Sequence, residues 1–273
     1  MPFHLAQLCI AASLQAQLTF VRHGQSVYNA EGRFTGWTDV PLTPLGRQEA
    51  AAGGRALANR GARFDVCFTS ELERAIDTAS IVLEHCGQQH VPVRRHWQLN
   101  ERHYGSLTGR LKADVTAEHG AHQVDLWRHA FDTPPPPCAE SHPEHPIHDP
   151  KYASVPRHLL PAGECLRETL ARCLPFYERH IAPELAAGRH VLVAAHGHII
   201  RALIKALEQL DDDEIAHVSI PNGLPLVYQL DERLRPIRPP DHRPQSEPGG
   251  KHACLGVWLR EPEGDEVAVV LPR

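Results

Sequence analysis

Arg22 and His23 stand at the end of an apolar run, Leu18-Thr-Phe-Val21, and Gly24 follows at once. Arginine brings a permanent forked cation suited to phosphate, and histidine a ring nitrogen that is nucleophilic near neutral pH. Apolar, β-rich residues ending in a Gly-containing turn predict a central parallel strand followed by a loop. Ligands of open α/β sheets bind beyond the carboxyl ends of such strands, so both side chains are delivered to a site. Three common residues in a row mean little alone. The arrangement recurs, however: Val191-Leu-Val-Ala-Ala195 runs into His196-Gly197-His198 and then an apolar helix from Ile199 to Leu207. Two strand ends of one sheet, each releasing a His beside a Gly, predict a converging site.

The elements that must position these residues are legible in order. Gln25 to Gly36 is a loop over the site, where Asn29, Arg33 and the pair Thr35-Gly36 offer donors. Thr43-Pro44 has the form of a helix start, with Thr as cap and Pro at the first helical position. The small face Ala50, Gly53, Ala56 and Leu57 suits close packing on a sheet. Phe64 to Thr69 reads as a second strand, and Ser70-Glu-Leu-Glu73 as a capping box opening a helix with Leu72, Ala75, Ala79, Val82 and Cys86 on its apolar face. Val91-Pro-Val93 is a third strand. Helical stretches open at Lys112 and span Val124 to Phe131, whereas Thr133 to Pro161, rich in Pro and His, reads as loop. His142, His145 and His148 lack the regular spacing of metal ligands, and Pro143 and Pro146 break any helix that would align them, so no metal is expected. Glu164 to Leu185 returns to helix with a break at Pro175; His190 to Ala195 and Asn222 to Leu230 close the set as strands.

Arg22-His23-Gly24 resembles the signature of the histidine phosphatase (phosphoglycerate mutase-like) superfamily. Arg33-Phe-Thr-Gly-Trp37, Asn100-Glu-Arg-His-Tyr-Gly105, Ala194-Ala-His-Gly197 and Ile220-Pro-Asn-Gly-Leu-Pro-Leu-Val-Tyr228 resemble its cofactor-dependent phosphoglycerate mutase branch, over roughly residues 17 to 237. The resemblance implies a three-layer αβα fold around a mostly parallel central sheet. It implies interconversion of 2- and 3-phosphoglycerate, primed by 2,3-bisphosphoglycerate, with His23 as phosphoryl carrier. Arg22, Arg74 and His196 would clamp the phosphoryl oxygens, and Glu101 would move the proton, its pKa raised towards neutrality. Taken alone, Arg74 would be a surface cation and Glu101 an exposed carboxylate; their places in the matching pattern change that. Substrate contacts are implied at Asn29, Thr35, Gly36, Arg102, Tyr104, Lys112, Arg128, His129, Gly197 and His198. Two of these depart from the pattern: His129 stands where the family has Arg, and His198 where it has Asn. The first removes a permanent cation; the second can still donate one hydrogen bond. A histidine phosphatase hydrolysing a phosphomonoester is the alternative, and a non-catalytic binding protein a more remote one.

A net charge of −5 excludes nothing polyanionic locally but gives no sign of a nucleic-acid partner, so positive charge for an anionic substrate must be concentrated at the site. The length of 273 residues suits a single α/β domain spanning 1–273, with an N-terminal extension (1–16), a cap insertion (106–162) and a divergent tail (236–273). The seven cysteines include no Cys-x-x-Cys pair, which predicts reduced thiols in a cytoplasmic protein. Residues 5–16 lack the charged start of a signal peptide, and no run approaches the ~20 apolar residues of a spanning helix, so no membrane association is expected. The resemblance implies a homo-oligomer, dimer or tetramer. In the tail, Val257–Leu259 and Val267–Leu271 have the makings of a hairpin that folds back near the site mouth.

Overall fold

The computed structural model describes residues 16–237, 245–246 and 253–261. The chain opens with β1 (Ala16–Arg22), the short α1 (Val27–Ala30), α2 (Pro44–Asn59), β2 (Val66–Thr69), α3 (Glu73–His85) and β3 (Val93–Arg95). Helices α4 (Lys112–His119), α5 (Ala121–His129), α6 (Leu166–Phe176) and α7 (Ala182–Ala186) follow. After them come β4 (Val191–Ala195), α8 (Gly197–Glu208), α9 (Asp212–Ala216), β5 (Pro225–Leu230) and β6 (Pro236–Ile237). Two-residue strands β7 (Gln245–Ser246), β8 (Ala253–Cys254) and β9 (Val257–Trp258) complete the described chain.

The main sheet has the order β3-β2-β4-β1-β5-β6, with β9 also beside β5. Strands β3, β2, β4 and β1 are mutually parallel, while β5 is antiparallel to β1. Both faces are covered, which is why the central strands read as continuous apolar runs. Alternate residues serve opposite cores. Leu18, Phe20, Val191, Val193 and Ala195 face α6 and α8, whereas Val21, Leu192 and Ala194 face α2 and α3. This is the expected three-layer αβα arrangement.

Local chemistry shifts several boundaries. The strand expected from Phe64 begins at Val66, because the Phe64 amide donates to Gln88 Oε1 (2.8 Å). The third strand begins at Val93 and is an exposed edge. The capping box at Ser70 does not form: α3 starts at Glu73 with Leu72 as its uncapped N-cap, and Ser70 Oγ is drawn to His196 Nε2 (2.8 Å). The helix does not break at Pro175, which lies inside α6; a wide turn from Tyr177 to Ile181 follows and leads into α7. A π-type turn beside a proline accommodates the missing N–H and the ring without ending the helix. The last strand begins at Pro225 rather than Asn222, whose side chain has another use at the site.

Only the first part of the 106–162 insertion reaches the site. Its second part forms three single 3₁₀ turns and packs Tyr152 and Leu160 around Trp37. His142, His145 and His148 are engaged with backbone groups of their own loop, and no three metal-ligating side chains gather among the described residues. Cys67, Cys86, Cys138, Cys165, Cys173 and Cys254 are free thiols; Cys9 lies outside the described residues. No helix among those residues is long and apolar enough to cross a membrane. In the tail, Val257–Trp258 pairs with Leu226–Val227 of β5, and residues 267–271, the other half of the expected hairpin, lie outside the described residues.

The turn after β1 is held by glycine against glycine. A Cβ on Gly24 would sit 2.0 Å from the Gly46 carbonyl oxygen, at the first turn of α2. Gly24→Ala is therefore expected to cost about 1–3 kcal/mol, the usual range for forced overpacking. The measurement is a denaturant midpoint; an unchanged midpoint would show that the turn can yield.

Candidate active site

His23 and His196 meet because β1 and β4 are adjacent, parallel and in register. Arg22 pairs with Ala195, so the next residue of each strand emerges at the same sheet edge, with the two rings 5.1 Å apart. The His23 amide extends the ladder to the Ala195 carbonyl (2.9 Å), and its own carbonyl accepts from Asn222 Nδ2 (2.6 Å). Nδ1 lies 2.7 Å from the Gly24 carbonyl, an acceptor only, so the neutral ring carries its proton on Nδ1 and leaves Nε2 unprotonated. Burial, then Arg74 and Arg22, holds the His23 pKa well below its ordinary value, and the ring is neutral at neutral pH.

His196 is buried with its Nε2 against Ser70 Oγ. Ser70 Oγ accepts the Leu72 amide (3.2 Å) and can donate its hydroxyl to Nε2, the arrangement in which the imidazole proton sits on Nδ1. Arg22 donates Nη1 to the Ile220 carbonyl (2.7 Å), and Arg74 donates to the carbonyls of Thr38 (2.9 Å) and Gly36 (2.8 Å). These anchors fix both guanidiniums. Burial lowers their pKa values, that of Arg74 to about 10, and Glu101 is the largest influence in the other direction. Both remain cations.

Glu101 is buried beside them. Its Oε1 accepts the amides of Arg102 (2.8 Å) and His198 (3.2 Å). Burial would raise its pKa, but His198, His196 and the Arg102 amide outweigh it and hold the carboxyl well below the ordinary range. The expectation of a raised pKa is thus corrected: the site by itself keeps Glu101 ionised. The whole opens into a cavity of about 200 Å³. Among the described residues, six Arg or Lys side chains (22, 33, 74, 112, 128, 201) line it against one carboxylate, so the negative chain has a strongly positive pocket.

The model of the histidine phosphatase superfamily (branch 1) matches residues 18–145 and 139–234. This chain belongs to the histidine phosphatase superfamily, branch 1. A 2,3-bisphosphoglycerate-dependent phosphoglycerate mutase of Nitratidesulfovibrio vulgaris is 51% identical over 222 residues, 81% of this chain and 89% of that protein. A mutase of the same name from Thermobifida fusca is 53% identical over 219 residues, 80% and 89% of the two chains. Among solved structures, a mycobacterial glucosyl-3-phosphoglycerate phosphatase complexed with VO3 is similar, with a TM-score of 0.60 and 28% identity over 78% of this chain and 92% of that one.

Within this superfamily member, Arg22, His23, Asn29, Thr35, Gly36, Arg74, Glu101, Tyr104, Lys112, Arg128, His129, Gly197 and His198 all line the cavity. His196 lies just behind the wall, against His23. Arg102 does not reach it. Its guanidinium stacks 4.6 Å over the Tyr104 ring and donates Nη2 to the Arg128 carbonyl (3.3 Å), supporting α5 from beneath. His198 likewise turns both ring nitrogens to protein acceptors: Nε2 meets the same carbonyl (3.2 Å) and Nδ1 lies 3.3 Å from Glu101 Oε1, so the ring has no N–H directed at a phosphate.

Arg33, Arg201 and Ser219 also line the cavity, and Ser70 and Asn222 support it. Arg201 is a cation in an otherwise apolar stretch of helix, one turn beyond Gly197, with Lys205 one turn further on. Ser70 was masked by its match to a capping box. Asn222 stands within the matching motif 220–228 but with no role implied for it, and for Ser219 the chain carries no local signal, since the loop before β5 meets His23 only in the fold.

At the rim, His129 Nδ1 is 2.7 Å from Asp125 Oδ1. Burial lowers its pKa more than Asp125 raises it, with Arg128 adding to the fall, so the ring is neutral at pH 7. Its cationic contribution to anion binding therefore appears only below the ordinary histidine range and fades as pH rises. His129→Arg is expected to tighten phosphoglycerate binding at pH 7 by up to roughly 5-fold, the value of a half-exposed ion pair. Titration calorimetry at pH 7 and pH 5.5 checks it; equal affinities for both proteins at both values would show that residue 129 does not sense substrate charge.

Proposed function

We propose that this protein is a 2,3-bisphosphoglycerate-dependent phosphoglycerate mutase that interconverts 2- and 3-phosphoglycerate through a phosphohistidine on His23. The observation that carries the reading is a neutral His23 with Nε2 free, set between two anchored guanidiniums and one ionised carboxylate. The sequence likeness to two mutases at 51% and 53% identity supports the same substrate. 2,3-Bisphosphoglycerate supplies the phosphoryl group that primes His23. The residues present fit such an anion: Arg22 Nε, Arg74 Nε and the ring nitrogen Nδ1 of His196 are buried with no hydrogen-bond partner among the described residues.

Nε2 of His23 attacks phosphorus in line with the leaving oxygen. Arg22, Arg74 and His196 neutralise the equatorial oxygens, where phosphoryl transfer spreads charge. Glu101 gives a proton to the leaving hydroxyl oxygen and takes one from the attacking hydroxyl on return. A phosphoryl group carries a charge of about −1.5 to −2. Bound beside Glu101, it offsets the guanidinium field and raises the carboxylate's affinity for that proton. Asn29, Tyr104, Lys112, Arg128 and Arg201 hold the remaining phosphate and carboxylate oxygens. We place the reaction in glycolysis and gluconeogenesis in the cytoplasm. The open edge of β3, with Val93 exposed, is where a second copy would join in a homo-oligomer.

Purified protein given 3-phosphoglycerate, with and without 2,3-bisphosphoglycerate, tests the reading by following 2-phosphoglycerate and free phosphate together. Primer-dependent 2-phosphoglycerate without stoichiometric phosphate is the expected result. The phosphatase alternative draws support from the likeness to the glucosyl-3-phosphoglycerate phosphatase. Phosphate release exceeding isomerisation would favour it.

A further inference from the structure

The loop that presents Glu101 is wrapped by a buried ion pair with no place in the chemistry above. Arg172, on α6, makes a two-pronged contact with Glu164: Nε to Oε1 at 2.6 Å and Nη2 to Oε2 at 2.8 Å. Their side chains are 6% and 4% exposed. The remaining donors of the guanidinium all go to the backbone around Glu101. Nη1 reaches the carbonyls of Gln98 (3.0 Å) and Asn100 (3.0 Å), and Nη2 that of Glu101 itself (3.2 Å). From the other partner, Glu164 Oε2 accepts the His103 amide (2.9 Å). Gln98 returns a bond from Nε2 to the Arg172 carbonyl (2.7 Å). The Glu101 carbonyl also takes Trp37 Nε1 (2.6 Å), and Trp37 lies under the guanidinium, its ring centre 5.4 Å from Cζ.

We propose that Glu164 and Arg172 are positioning residues for Glu101, fixing the backbone on both sides of the proton-transfer carboxylate so that it meets the reacting oxygen in one place. The segment from Gln98 to His103 has no strand or α-helix to hold it. A rigid five-donor fork can grip both carboxylate oxygens and several carbonyls at once, which the three donors of a lysine ammonium cannot match. A buried ion pair contributes little net stability against an apolar pair of the same volume, so stability alone is a poor reason for its presence. Proton transfer, by contrast, depends steeply on placement: about 1 Å of displacement can cost on the order of 10²-fold in rate. The inference rests on the reading of Glu101 as the acid–base group, and the test separates the two.

Three variants are compared with wild type: Glu101→Gln, Arg172→Lys, and the paired Glu164→Met/Arg172→Met, which removes both charges together. Arg172→Lys and the paired variant are expected to stay folded by near-ultraviolet circular dichroism. Each is expected to lose at least ~10-fold in kcat while KM for 3-phosphoglycerate moves less than ~3-fold. Placed on Glu101→Gln, neither should lower kcat further, because residues acting through one group are not additive. A folded variant with wild-type kcat, or a loss that multiplies in full on the Glu101→Gln background, overturns the proposal. Failure of both variants to fold also overturns it, in favour of a purely structural pair. Near-normal turnover in Glu101→Gln itself would instead refute the reading on which the proposal stands.

Discussion

His23→Ala is expected to abolish turnover and, with it, the acid-labile, base-stable label that 2,3-bisphosphoglycerate leaves on the wild-type protein. The reason is geometric. His23 Nε2 is the ring nitrogen left without a proton by the Nδ1 bond to the Gly24 carbonyl, and it faces the anchored cations Arg22 and Arg74. Alanine removes that atom and leaves both cations and His196 in place, so phosphoglycerate should still bind. The contrast between retained binding and lost chemistry identifies a nucleophile rather than a clamp residue. The protein backbone of the turn does not depend on the imidazole, since the amide and carbonyl of residue 23 are held by Ala195 and Asn222. Peptide mapping of the labelled protein decides the case. Label that persists in the variant would move the carrier to His196, whose ring is 5.1 Å away.

Glu101→Gln is expected to depress kcat by ~10²-fold or more, the scale of a lost general acid–base group. The amide keeps the shape of the side chain and an oxygen to accept from Arg102 and His198, so the loop should hold its conformation. The sign of the binding effect is also determined. The substitution removes the single carboxylate from a pocket lined by six Arg or Lys side chains, so KM for an anionic substrate should stay level or fall. A rise in KM with kcat intact would make Glu101 a binding residue. Linkage adds a stability readout. The folded-state pKa of Glu101 is held below its usual value, so its contribution is present above the unfolded pKa of about 4.3 and is lost as pH falls through the folded value. The variant should lack that acid loss.

Much of the fold follows from period and punctuation. β1 and β4 are covered on both faces, and such strands are dominated by apolar residues (Leu18, Phe20 and Val21 in one, all of Val191 to Ala195 in the other), so their runs are legible without any partner in view. Thr43-Pro44 begins α2 as expected, because a cap and a proline at the first turn act within a few residues. Local rules fail where a residue's partner is distant in the chain. Ser70 satisfies every local rule of a capping box, yet His196, 126 residues away, takes its hydroxyl. Pro175 satisfies the rule for a helix break, yet a wide turn and packing of Phe176, Tyr177 and Ile181 into the core carry the helix past it.

The amino-acid sequence by itself placed a histidine at the end of each of two apolar strands, and its resemblance to a known family singled out two histidines, two arginines and a glutamate as candidates for the chemistry. Types and order are local properties, and the chain displays them directly. Tertiary structure alone decided their states. Glu101 is ionised rather than raised in pKa because His198, His196 and the Arg102 amide converge on it, and the tautomer of His23 is set by the carbonyl that meets its ring. Arg102 supports α5 from behind the cavity, Arg201 and Ser219 enter its wall, and His198 turns its ring nitrogens to the Arg128 carbonyl and to Glu101. Protonation and hydrogen-bond direction are fixed by distances of a few ångströms between groups that burial brings together. Such distances exist only once the sheet has placed the ends of β1, β2 and β4 side by side.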